Sequence, residues 1–140
     1  MNIDSIKTGI VLDHITAKKG MEIYRHLGLD ELDCTVAIIR NVKSQKMGRK
    51  DIIKIDADID IDLDVLGYID PGVTVNIIMG DKLVEKKKLE LPARLVGVIK
   101  CSNPRCITST EPDLEHIFNL TDRQNRIYRC AYCETKYNKN

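Results

Sequence analysis

Hydrophobic and polar residues in the first ninety positions follow two alternating periods. Gly9-Ile-Val-Leu-Asp-His-Ile15 is rich in β-branched residues and predicts a strand. Thr16 is then a candidate helix cap, Ile23, Tyr24 and Leu27 recur at helical spacing, and Gly28 supplies a stop. Thr35–Arg40 predicts a second strand. The polar stretch from Asn41 to Arg49, with Gly48 inside it, suits a hairpin-like loop, and Asp51–Ile55 predicts a third strand. Leu63, Leu66 and Ile69 repeat every third residue, so a short helix should precede the Asp70-Pro71-Gly72 turn signal. Val73–Ile78 predicts a fourth strand, and Lys82–Glu85 an edge strand. The order βαββαβ is the split-βαβ, ferredoxin-like arrangement.

Between the third strand and the second helix, Asp56, Asp58, Asp60, Asp62 and Asp64 alternate with Ala57, Ile59, Ile61 and Leu63. A calcium loop needs a glycine at a fixed offset and a closing glutamate, and neither is present in this run. The pattern predicts a solvated strand end leading into acidic first-turn helix positions, which the helix dipole favours.

The pattern changes near Leu89-Glu-Leu-Pro92, after the basic run Lys86-Lys87-Lys88, and a hinge is placed at about residues 89–94. This divides the chain into domains 1–92 and 93–140. The second carries Cys101-Ser-Asn-Pro-Arg-Cys106 and, 23 residues later, Cys130-Ala-Tyr-Cys133. Two short-spaced pairs, each on a tight knuckle, can turn four thiolates toward one point, as a tetrahedral zinc site requires. Leu95–Ile99, Ile117-Phe118 and Ile127-Tyr128 supply flanking strands for a small all-β zinc ribbon, so the whole chain is α+β. Four protein ligands close the coordination sphere, and one structural zinc ion follows, although a single iron would accept the same spacing. Two disulfides, or four thiols packed in a core, are the alternative, disfavoured by a reducing compartment and by the paired spacing. Cys34, in Leu32-Asp-Cys-Thr-Val36, fits a small buried apolar residue.

Composition narrows the function. With 22 basic and 21 acidic residues the net charge is +1, which excludes a histone-like or tail-type nucleic-acid binder. The absence of tryptophan and a single phenylalanine leave little material for base stacking. Residues 93–140 hold 8 basic and 5 acidic side chains, an excess that a tetrathiolate zinc site largely offsets. No apolar run reaches membrane-spanning length and no signal peptide is legible, so a cytoplasmic protein without membrane or nucleic-acid partners is expected. Nucleophile elbow, Walker, Rossmann and HExxH patterns are missing, which points away from an enzyme. Strand alternation would place the side chains of Asp13 and His14 on opposite faces. Lys50, Lys54 and Lys86–Lys88 are candidate phosphate contacts.

Taken together, Gly9-Ile-Val-Leu-Asp-His-Ile15, Met47-Gly-Arg-Lys-Asp-Ile-Ile-Lys-Ile55, Thr74-Val-Asn76, Leu91-Pro92, Cys101-Ser-Asn-Pro-Arg-Cys-Ile107 and Cys130-x-x-Cys133 resemble the regulatory chain of aspartate carbamoyltransferase, in the family's order and over nearly the whole chain. The resemblance implies a non-catalytic subunit of pyrimidine biosynthesis. Its N-terminal allosteric domain would bind CTP or ATP, and its C-terminal zinc domain would dock on the catalytic chain. Regulatory homodimers would join catalytic trimers in a hetero-oligomer of six catalytic and six regulatory chains. Carried onto matching positions, Asp13, Lys54 and Lys86 resemble the polar contacts to ribose, base and phosphate. His14, Asn76 and Leu83 resemble neighbouring contacts, and the stretch from Ile3 to Ile6 would line the base. Cys101, Cys106, Cys130 and Cys133 match the family's zinc ligands. Asp81 stands where relatives carry an aromatic residue, and the Lys86–Lys88 run is more basic than the family pattern. The rival readings are a zinc-ribbon adaptor for nucleic acid or protein, and a free-standing nucleotide sensor.

Overall fold

In a computed structural model of the chain, which describes residues 7–138, Ile10, Leu12 and Ile15 of the first strand are all buried on one side. That strand, β1 (Gly9–Thr16), keeps period-two alternation up to Leu12 and then breaks it, because Leu12 and Ile15 are three residues apart. A bulge at Asp13-His14 absorbs the extra residue, with His14 at φ 59°. β1 is central. It pairs with β3 (Gly48–Ile55) on one side and β4 (Thr74–Met79) on the other, with β2 (Val36–Ser44) and β5 (Lys82–Lys88) as the edges. Every pairing is antiparallel. The order β2-β3-β1-β4 is that of the split-βαβ sheet, extended by the β4–β5 hairpin.

Two helices, α1 (Gly20–His26) and α2 (Leu63–Ile69), close one face. Ile23 from α1 and Leu66 and Ile69 from α2 join Ile10, Leu12, Ile15, Ile53, Ile55 and Val75 in one core. Each such side chain contributes about 1.5–3 kcal/mol on burial. α2 begins where Asp62 Oδ1 accepts from the N–H groups of Asp64 at 3.1 Å and Val65 at 3.2 Å. The acidic run is therefore extended chain ending in a helix cap: its aspartates are exposed, while Ala57, Ile59, Ile61 and Leu63 pack against the core. α1 departs from expectation. Thr16 ends β1, and the cap position is Lys19, with no side-chain cap bond.

The polar stretch 41–49 also differs from the expected loop, since β2 runs on to Ser44 and β3 starts at Gly48. The hairpin projects beyond the core, so its ladder carries polar residues on both faces, and polarity there marks solvent rather than irregular backbone. β5 likewise reaches Lys88.

The chain divides into two compact units, residues 1–90 and 91–140. The second is built on an antiparallel sheet ordered β6 (Arg94–Val96), β7 (Ile117–Asp122) and β8 (Ile127–Cys130). Leu95, Phe118 and Tyr128 are among its buried apolar residues, with Leu91 and Ile99, and Tyr137 meets Phe118 edge-on with ring centroids 5.8 Å apart. β6 is shorter than the expected strand over 95–99 because Gly97 takes φ 71°. A four-residue helix, α3 (Ile107–Thr110), follows Cys106, where the sequence pattern offered no helical period.

Candidate functional site

The helix-free face of the first sheet gathers most of the residues singled out as nucleotide contacts. Val11 pairs with Lys54 on β3 and with Asn76 on β4, and Asn76 pairs with Lys86 on β5. Directly opposite residues share a face, so Lys54, Asn76 and Lys86 form one row across four strands. Asp13 lies one step along that face, opposite Thr74. A second bulge, between Ile77 and Ile78, brings Leu83 opposite Ile78 and onto the same face as Lys86. Leu83 is 57% exposed. Ile6 lies outside the described residues.

Asp13 and His14 do not point to opposite faces as alternation alone required. The bulge lets His14 Nδ1 come within 3.2 Å of Thr74 Oγ1, the residue opposite Asp13. Asp13 Oδ1 receives Lys50 Nζ at 2.9 Å and the His14 N–H at 2.6 Å. Burial pushes the Asp13 carboxyl up, but the Lys50 ammonium and the His14 N–H outweigh it and hold the group below the ordinary carboxylate range. The face therefore presents lysine ammonium groups for an anion and a carboxylate that accepts from hydroxyls. Lys50, set among the candidate phosphate contacts, is the partner of Asp13.

The four cysteines of the second unit converge. The Sγ atoms of Cys101, Cys106, Cys130 and Cys133 lie within 4.8 Å of one another. Cys101 and Cys133 are 3.6 Å apart, and Cys106 and Cys130 are 3.7 Å apart. A disulfide needs about 2.05 Å, whereas four sulfurs about 2.3 Å from a central ion would be about 3.8 Å apart at tetrahedral geometry. The donor set thus fits a tetrahedral metal ion with a closed, structural coordination sphere. Turns pre-form it: the Cys106 N–H bonds the Asn103 carbonyl at 3.1 Å, and the Glu134 N–H bonds the Cys130 carbonyl at 2.8 Å. Burial and the neighbouring thiols push Cys101 up to about 12, while hydrogen bonding from Thr135 pulls Cys133 down to about 6. Burial also raises Cys130.

Supporting residues escaped the sequence reading. His116 Nδ1 accepts the Cys101 N–H at 3.0 Å, which requires that nitrogen to be unprotonated. Asn103 Nδ2 donates to Thr135 Oγ1 at 3.3 Å. Thr108 and Thr135 stand beside Cys106 and Cys133. The available signal was a threonine two residues after the second cysteine of each pair. No helix among the described residues is long and apolar enough to cross a membrane.

Comparisons with known proteins identify the family of both units. A family model described as aspartate carbamoyltransferase regulatory chain, allosteric domain, matches residues 1–90, and one described as the metal binding domain of the same chain matches residues 93–140. An aspartate carbamoyltransferase regulatory chain from Clostridium botulinum (strain Hall) is 51% identical over 98% of this chain and 94% of its own length. The regulatory chain from Clostridium tetani is 50% identical over 98% and 96%. That from Bifidobacterium longum is 44% identical over 96% of each.

Proposed function

This chain belongs to the aspartate carbamoyltransferase regulatory chain family, and from that premise we propose that it senses nucleotides on the open face of its first sheet and passes the signal through its metal domain to the catalytic chain. It is a non-catalytic subunit of a pyrimidine-pathway enzyme, with an allosteric domain and a metal-binding domain. In the proposed division, residues 1–92 bind CTP or ATP and residues 93–140 hold one zinc ion and contact the catalytic chain. Six regulatory chains, paired as homodimers, assemble with six catalytic chains in the cytoplasm.

The observation that carries the nucleotide reading is the register row Lys54–Val11–Asn76–Lys86 with Asp13 beside it. Two ammonium groups on one face suit a triphosphate, and Asp13 suits ribose hydroxyls. Zinc suits the cluster because four thiolates form a soft tetrahedral set. When bound, the ion ties the two knuckles together, and it is the second unit's substitute for a large core.

Coupling is thermodynamic. A nucleotide that binds one arrangement of the regulatory dimer more tightly shifts the assembly toward it, typically by about 1–3 kcal/mol. The test mixes the zinc-loaded chain with catalytic trimers from the same organism and measures mass by light scattering with and without CTP and ATP. A species containing both chains, binding either nucleotide through the regulatory chain, is the expected result. A chain that binds zinc but never associates with the trimers overturns the proposal.

A further inference from the structure

Each cysteine pair is followed by the same short pattern: Cys106-Ile107-Thr108 and Cys133-Glu134-Thr135. The repetition carries into space. Thr108 Oγ1 lies 3.0 Å from Cys106 Sγ, and Thr135 Oγ1 lies 3.2 Å from Cys133 Sγ. We propose that these two threonine hydroxyls donate to the metal-bound thiolates of Cys106 and Cys133, and that by sharing the sulfurs' charge they slow metal loss.

A metal-bound thiolate carries no proton, so in either pair the hydroxyl is the only group able to donate. At Thr135 the oxygen accepts from Asn103 Nδ2 at 3.3 Å and, while Cys133 is a thiol, from Cys133 Sγ; once the sulfur is a metal-bound thiolate, the hydroxyl proton is free to turn to it. At Thr108 burial makes the case, since the residue is 3% exposed and a buried hydroxyl needs a partner. Cys106 Sγ is the partner it has.

The two cysteines of each knuckle are served differently. Cys101 receives the Asn103 N–H, and Cys130 receives those of Tyr132 and Cys133, all donors of the knuckle backbone. The second cysteine closes its knuckle, and the side chain two residues on turns back to it. Cys133 also takes the Thr135 N–H. Four thiolates around a dication leave a net charge of −2, and each hydroxyl offsets part of it. The inference rests on the metal reading of the cluster.

The test uses the full chain loaded with Co(II) and with Zn(II), comparing Thr108→Val, Thr135→Val and the matching serine variants. Loss of a hydroxyl donor makes the sulfur a stronger donor, so the sulfur-to-cobalt charge-transfer band should move to lower energy in each valine variant. Transfer of zinc to a colorimetric chelator should accelerate, with affinity falling about 10-fold per hydroxyl. Serine, which keeps the hydroxyl, should restore both. Should Thr108→Val fail to load metal, Thr135→Val, at a half-buried position, decides the matter. Faster release with an unmoved band means lost packing and overturns the inference, as does a valine variant matching the parent in both readouts. A parent chain that takes up neither ion overturns the metal reading itself.

Discussion

The Gly20 N–H donates to Asp51 Oδ2 at 3.0 Å, and a Cβ at position 20 would lie 2.8 Å from that same oxygen. Asp51 is fully buried and holds three backbone amides. Oδ2 also accepts from Lys18 at 3.1 Å, and Oδ1 accepts from Asn41 at 2.9 Å. Lys18 has φ 83° and Asn41 φ 60°, so the carboxylate secures two stretches of left-handed backbone, of which the one at Lys18 is the costlier because asparagine tolerates that region. One buried carboxylate, midway along β3, thus joins the entry to α1 to the bulge in β2 between Ile39 and Val42.

Asp51→Asn should destabilise the first unit by about 2–4 kcal/mol, because the side-chain NH2 that replaces one carboxylate oxygen then faces at least one backbone N–H it cannot accept from. Gly20→Ala should cost about 1–3 kcal/mol through overpacking against the same oxygen. Urea denaturation of the metal-loaded chain, followed by circular dichroism, measures both. A midpoint unchanged in Asp51→Asn would show that the three amides find other partners.

Asp51 also marks where sequence legibility ended. Its neighbours Ile53 and Ile55 declare a strand by alternation, and Leu63, Leu66 and Ile69 declare α2, because burying one face imposes a period. Bulges leave no such trace. The one at Asp13-His14 reverses the facing of every later residue in β1, and the exposed ladder of residues 41–50 looks like a loop to any hydropathy pattern. The cysteine cluster was legible because metal ligands must sit on short knuckles. His116, fifteen residues from Cys101, was not, because a single acceptor for one backbone N–H imposes no spacing.

Lys86→Ala should weaken CTP or ATP binding about 10- to 100-fold, the range for losing one charge-assisted contact. Association with catalytic trimers should persist, since the change lies on an exposed strand of the first unit. Isothermal titration with each nucleotide, paired with light scattering of the assembly, separates the two effects. Equal loss of both would refute the separation of nucleotide site from docking domain.

Asp13 contributes to acid stability in a direction its environment fixes. Its folded carboxyl lies below the ordinary range despite burial, because of Lys50 and the His14 N–H. The contribution is therefore present above the unfolded pKa of about 3.9 and is lost as pH falls through the depressed folded value. Asp13→Asn should be less stable than the parent above the unfolded carboxylate pKa, and the gap should close as pH falls through the depressed folded value. Paired urea titrations across that range read the difference. A gap that is constant with pH would assign the loss to packing instead of charge.

Cys106→Ala removes a fully buried ligand and leaves three thiols. Metal binding supplies about 10–16 kcal/mol in small four-ligand zinc modules, so residues 91–140 should lose their fold while the sheet of residues 1–90 keeps its own core. Hydrogen exchange should show protection retained at Ile53 and Ile55 and lost at Phe118 and Tyr128. A chelator should reproduce this pattern in the parent chain. Metal loading should release protons as well, since Cys101, at about 12, and Cys130, also raised, enter the site as thiols near neutral pH. Affinity for zinc should accordingly fall as pH falls.

Coupling between nucleotide and substrate must be reciprocal if the regulatory chain acts by biasing two states of the assembly. A bisubstrate-type inhibitor saturating the catalytic chains should change nucleotide affinity by the same factor by which nucleotide changes inhibitor affinity. For a coupling of about 1–3 kcal/mol that factor is roughly 5- to 150-fold. Lys86→Ala should reduce nucleotide affinity in both states while leaving the factor itself nearly unchanged, because it removes a contact common to them. Substitutions at Leu89 or Leu91, on either side of the division between the units, should instead change the factor with little effect on intrinsic nucleotide affinity. Titrating nucleotide into the assembly with and without the inhibitor, for the parent and both kinds of variant, measures all of these terms. A factor that differs between the two directions of measurement would mean that the states being compared are not in equilibrium, and the two-state description would have to be abandoned.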